Sequence, residues 1–169
     1  NVGREASALP SKSNKAWLST PEPHSSAETP APEPELTAEE TVAAQEPVSR
    51  YAPVTEAEID LMARVVYAEA NTESAAGQQA VAEVILNRRA AGNFEDTIEA
   101  VIFAPGQFST ASILHRVTPT SANYDAVRAA LYGEAILPMD VVYFSQGAEN
   151  SRVWGVIGNH VFCYQYVWG

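Results

Sequence analysis

The chain has 169 residues, a formal net charge of −11 and a single cysteine, Cys163. One cysteine permits no intramolecular disulfide and no cysteine-built zinc site. Every cation after Pro53 is an arginine in an acidic background, which leaves no basic stripe for nucleic acid or for an anionic membrane surface, and no run of about 18 apolar residues predicts a membrane-spanning helix.

Composition divides the chain at Pro53. Eight of the 11 prolines lie before Val54, whereas all five phenylalanines and eight of the nine glycines lie after it. Residues 1–53 are rich in Pro, Glu, Ala, Ser and Thr and cannot bury enough apolar surface to offset the entropy of ordering. They read as a disordered tether, with Pro21-Glu22-Pro23 and Pro32-Glu33-Pro34 favouring extended chain and a weak helix over residues 37–45. Residues 54–169 have the length of one domain, for which ~100–150 residues is common. The first residue is Asn1 rather than methionine, so removal of an upstream segment is expected.

In chain order, Thr55 with Glu58 forms a capping box that starts a first helix carrying Ile59, Met62, Val65 and Val66 on one face, and residues 69–73 close it. A second helix is predicted from Ser74 to Ala91, with Ala80, Val81, Val84, Ile85 and Arg88 at helical spacing and Gly92 as a left-handed stop. The short link between them makes antiparallel neighbours. Asp96, with Glu99 three residues later, predicts the cap of a third helix with Ile98, Val101 and Ile102 inward, ended by Pro105-Gly106. Residues 107–118 read as an irregular loop, and a fourth helix is expected from near Thr118-Pro119 to Gly133, carrying Tyr124, Val127 and Leu131. Residues 141–144 and 160–164 are aromatic and β-branched, which predicts two strands joined by a Gly-containing connection, with Cys163 a packed thiol in the second. Helices leading into a small antiparallel sheet near the C-terminus define an α+β class, mainly helical.

Within the first helix Glu69 breaks the pattern. It falls three, four and seven residues after Val66, Val65 and Met62, so its carboxyl shares their face. An acid drawn into an apolar setting favours its protonated form, and a protonated carboxyl can act as a general acid. Position alone equally allows a head group in solvent at the helix end, or one paired with an arginine.

Several motifs occur in a fixed order. Tyr67-Ala68-Glu69-Ala70, Glu73, the run Gly77-Gln78-Gln79-Ala80-Val81-Ala82 and Val84-Ile85-Leu86-Asn87-Arg88 come first. Thr97-Ile98 with Val101-Ile102, Pro105-Gly106-Gln107-Phe108-Ser109, Tyr143-Phe144 and Ile157-Gly158-Asn159-His160-Val161-Phe162 come after. Together they resemble the catalytic domain of the SleB/CwlJ cell-wall hydrolases, over about residues 59–162, which identifies residues 54–169 as a catalytic domain of that type. Asn71-Thr72 stands where members of that family often carry Arg-Gly, and the stretch between Phe144 and Ile157 is short.

The resemblance implies a lysozyme-like fold close to lytic transglycosylases and resuscitation-promoting factors, no cofactor and no metal, peptidoglycan glycan strands as partner, and a site of action outside the cytoplasm. A monomer is expected. The family's catalytic glutamate falls on Glu69. Glu73, Gln107, Phe108, Tyr143 and His160 are candidate substrate-binding residues; Phe108 could equally anchor its loop, whereas a strand tyrosine such as Tyr143 is more often core and His160 more often satisfies a turn. Arg88 could pair with Glu69 or Glu73.

Glycosidases that use water need a second carboxylate about 5 Å or ~6.5–9.5 Å from the first. If the helix continues, Glu73 is one turn from Glu69, and two carboxylates on one side of the bond would raise each other's pKa rather than attack from opposite faces, while Glu83, Glu95 or Asp140 could fold into the groove. A single-acid transglycosylase is therefore the expected function, with a water-using muramidase and a non-catalytic glycan-binding module as alternatives. A zinc amidase is disfavoured, because the domain holds only His115 and His160 and has no HExxH pair.

Overall fold

The computed structural model describes residues 47–166. The proposed tether lies outside the described residues except for 47–53, and of these Arg50 and Tyr51 pack against α2 and the segment leading into the sheet. Tyr51 is buried and its hydroxyl donates to Asn87 Oδ1 over 2.7 Å. Arg50 donates to the Leu137 carbonyl and to Glu83.

Helix α1 (Glu56–Ala70) opens with the expected capping box: the Glu58 amide donates to Thr55 Oγ1, and the Thr55 amide to Glu58 Oε2. Helix α2 (Ala75–Ala90) is capped by Ser74, whose Oγ accepts from the Gly77 amide, and Gly92 past its end has φ +73°. Residues 80–88 are all buried, so α2 is covered on every side and packs against α1, α4 and the sheet. Helix α3 (Ile98–Phe103) buries Ile98, Val101 and Ile102 as expected. Its cap is Thr97 rather than Asp96, because the Thr97 hydroxyl takes the Ala100 amide.

The stretch expected to be irregular contains a 3₁₀ helix (Ala111–Arg116) that buries Leu114. Arg64 of α1 fastens it by donating to the Leu114 and Val117 carbonyls, over 3.1 and 2.6 Å. Helix α4 (Ser121–Tyr132) begins later than its proline suggested: Thr120 and Asn123 form a capping box that sets the start beyond Pro119.

Strands β1 (Val141–Ser145), β2 (Val153–Ile157) and β3 (His160–Tyr164) form one antiparallel sheet in the order β1-β3-β2. β2 is not predicted from the sequence: Val153, Trp154, Val156 and Ile157 are strand-forming residues, but Gly155 interrupts the run, and while Val153 and Val156 are exposed, Trp154 and Ile157 pack against the core. Asn87 ties the sheet to α2 by donating to the Pro138 and Val141 carbonyls, both over 2.9 Å, and Arg88 Nε donates to the Val142 carbonyl over 2.7 Å.

Candidate active site

Glu69 is the penultimate residue of α1. The buried stripe of that helix runs through Met62, Val65 and Val66 to Ala70, and Glu69 sits at its edge, half-buried, where the helix stops and the core gives way to a groove. The groove holds about 460 Å³ between the end of α1, the 106–109 loop and the end of β1. The Thr110 hydroxyl donates to Glu69 Oε1 over 2.5 Å and fixes the orientation of the carboxyl. Thr110 is itself held because the 3₁₀ helix after it is fastened to α1 by Arg64.

Of the residues expected to contact substrate, Gln107, Phe108 and His160 line this groove with Glu69. Phe108 is 7% exposed, so it both anchors its loop and forms a wall. The His160 ring, 6% exposed, packs edge-on against Phe144 at 5.2 Å, and its Nδ1 is buried without a hydrogen-bond partner. Ser145 and Gln146 also line the groove and were not anticipated. Neither was Thr110. It lies just beyond the recognisable Gln107-Phe108-Ser109 run, but only the fold brings it to an acid 41 residues earlier.

Two expected residues lie elsewhere. Tyr143 lines a neighbouring cavity, meets Phe94 edge-on at 6.1 Å, and has its phenol pKa raised by burial, with the Arg88 charge opposing. Glu73 faces the β2–β3 turn, where it accepts from the Asn159 side chain over 2.7 Å and from the Asn159 amide over 3.2 Å. Those two bonds, with a smaller contribution from His160, hold its pKa below the ordinary carboxylate value.

Arg88 forms no ion pair among the described residues. The residue is 4% exposed, and its guanidinium lies 5.1 Å from the Phe108 ring and 5.7 Å from both Phe94 and Tyr143, a cation among aromatic faces. Burial lowers its pKa to about 10, which leaves it charged at neutral pH.

The three acids weighed as a second carboxylate also lie outside the groove. Glu83 is fully buried and accepts from the Ile136 and Leu137 amides, from Gln79 and from Arg50. Asp140 is exposed beside β1, and Glu95 lines the cavity of Tyr143. Glu69 is thus the one carboxylate among the described residues of the groove. Nowhere among the described residues do three or more His, Cys, Asp or Glu side chains gather as a metal cluster.

A mainly helical α+β domain, with one acid in an open groove beside a small sheet, has close counterparts among proteins that act on cell walls. Residues 72–163 match the cell wall hydrolase family, and the chain belongs to that family. The matched span begins just after Glu69. The spore cortex-lytic enzyme of Bacillus cereus is 36% identical over 113 residues, covering 63% of this chain and 44% of the relative. That of Halalkalibacterium halodurans is 38% identical, covering 63% and 34%. The chain therefore spans less than half the length of the curated relatives it matches. Among solved structures, the catalytic domain of the Bacillus cereus SleB protein superposes with a TM-score of 0.60 at 32% identity, covering 72% of this chain and 98% of that one. The catalytic domain of the germination-specific lytic transglycosylase SleB from Bacillus anthracis gives 0.59 at 32% identity, covering 66% and 99%.

Proposed function

We propose that this domain is a lytic transglycosylase that degrades peptidoglycan outside the cytoplasm, with Glu69 as its single acid and base. The observation that carries the proposal is the isolation of Glu69: it is held by Thr110 in an open groove that no other described carboxylate shares.

An alkoxide is a poor leaving group, so the glycosidic oxygen must gain a proton as its bond to C1 breaks. Glu69 donates that proton to the oxygen between N-acetylmuramic acid and N-acetylglucosamine, and the C1–O bond cleaves through an oxocarbenium-like state. The C6 hydroxyl of the same muramic residue then attacks C1 and gives its proton to the Glu69 carboxylate. The acid is regenerated, the product is 1,6-anhydromuramic acid, and no water is consumed. One carboxyl suffices for both proton transfers because the departing oxygen and the incoming hydroxyl occupy the same side of C1 in turn.

Gln107 supplies an amide with both a donor and an acceptor for hydroxyl and N-acetyl groups. His160, whose ring packs edge-on against Phe144, lines the groove, and Phe108 and Phe144 give the sugar an apolar wall.

Mass spectrometry of digested peptidoglycan tests the proposal. Anhydromuropeptides are the expected products; reducing ends would instead mark a muramidase that uses water, and an unchanged polymer a glycan-binding module.

A further inference from the structure

Arg88 carries its charge into the interior, because burial lowers its pKa only to about 10. Its Nη1 is buried without a hydrogen-bond partner, and no carboxylate pairs with it among the described residues. Such a charge is costly, and the ring faces of Phe94, Phe108 and Tyr143 offset only part of that cost. An apolar side chain of similar volume is commonly as stable at a buried position. Stability alone therefore does not account for an arginine here.

What Arg88 joins is more telling. Its Nε donates to the Val142 carbonyl over 2.7 Å, on β1 just ahead of Phe144. Its guanidinium lies 5.1 Å from the Phe108 ring. Phe144 and Phe108 line the Glu69 groove from two different elements, with ring centres 6.2 Å apart, whereas Arg88 does not line it. One side chain rooted on α2 thus ties two walls of the groove together from behind.

Thr110, which donates to Glu69 Oε1, follows Phe108 closely in the same loop. Beyond Thr110 the chain is pinned by Arg64 through the 3₁₀ helix, and ahead of it the chain is braced by Arg88 through Phe108. A planar guanidinium can donate in its plane while its faces meet aromatic rings, which an ammonium cannot do.

We propose that Arg88 is a positioning residue for the reaction at Glu69: from α2 it fixes Phe108 against β1, and so sets the hold of Thr110 on the acid. This assignment rests on the function proposed above, with Glu69 as the acid.

The test compares kcat and KM for cleavage of soluble glycan strands by the full chain as wild type, Arg88→Met, Thr110→Val and the double variant, each below its melting temperature. Methionine keeps an unbranched, adaptable stem but removes the donor and the charge. If Arg88 acts through Thr110, its loss costs no more than the Thr110 bond itself. In the wild-type background kcat and kcat/KM should fall together by about tenfold. Where Thr110 is already valine, the same substitution should cost less than about twofold. Arg88→Lys keeps the charge but not the fork; it should show the same pattern, and it carries the test if Arg88→Met does not fold. Wild-type kcat in the Arg88 variants, or losses that multiply with that of Thr110→Val, would overturn the positioning role. So would failure of both Arg88 variants to fold, which would mark the residue as structural. A wild type that cleaves no glycan would remove the function proposed above, and the positioning role with it.

Discussion

Glu73 occupies the space that a side chain on Gly158 would need: a Cβ built at Gly158 runs into Glu73 Oε2. Gly158 also has φ +58°, a left-handed conformation that favours glycine. The tight approach lets Glu73 hold Asn159, the residue before His160, and so sets where β3 enters the groove. Gly158→Ala should therefore destabilise the domain by about 1–3 kcal/mol in thermal or chemical denaturation. In a Glu73→Ala background the same substitution should cost measurably less, because only the backbone term remains.

The same carboxylate predicts a pH dependence. Its folded pKa is depressed from an ordinary value of 4.5, mainly by the Asn159 side-chain bond. A depressed acid stabilises the fold above its unfolded pKa and loses that contribution as pH falls through the folded one. The stability difference between the wild type and Glu73→Gln should thus be constant above about pH 5.5 and shrink steadily below about pH 4.5. Denaturant midpoints of both proteins across that range check it.

Glu83 is a structural acid. It is fully buried, and removing it would orphan the Ile136 and Leu137 amides and break its ion pair with Arg50. Glu83→Ala should cost about 2–5 kcal/mol, read from chemical denaturation, while the residue touches no part of the Glu69 groove.

Thr110 orients the acid. Thr110→Val keeps the shape but removes the donor to Glu69 Oε1. The expected loss in kcat is about tenfold, the equivalent of ~1.4 kcal/mol, as for one intramolecular hydrogen bond. Steady-state rates on soluble glycan strands, with the melting temperature as control, measure it.

Much of this arrangement could be read locally. The Thr55–Glu58 box, the Ser74 start and the Gly92 stop are short-range chemistry, and each stands where the residues put it. The inward period of α1 carried Glu69 to the edge of the core. What escaped was long-range or weakly patterned. β2 is a five-residue run broken by Gly155 that is fixed by pairing with β3. Thr120 and Asn123 outcompete Pro119 for the start of α4 by satisfying each other's backbone amides. Arg88 could have paired with Glu69 or Glu73, but Thr110 holds the first, the turn at Gly158 claims the second, and three aromatic rings surround Arg88. Thr110 becomes part of the site only when the 3₁₀ helix is pinned by Arg64.

The assignment of Glu69 is tested most directly by digesting purified peptidoglycan with the wild type and with Glu69→Gln, after circular dichroism has established that both are folded. An amide of the same shape cannot donate the proton, and loss of a general acid typically costs about 10²–10⁴-fold. Release of muropeptides should fall by at least about 10²-fold in a variant of unchanged melting temperature. Release at the wild-type rate would show that the proton comes from another group.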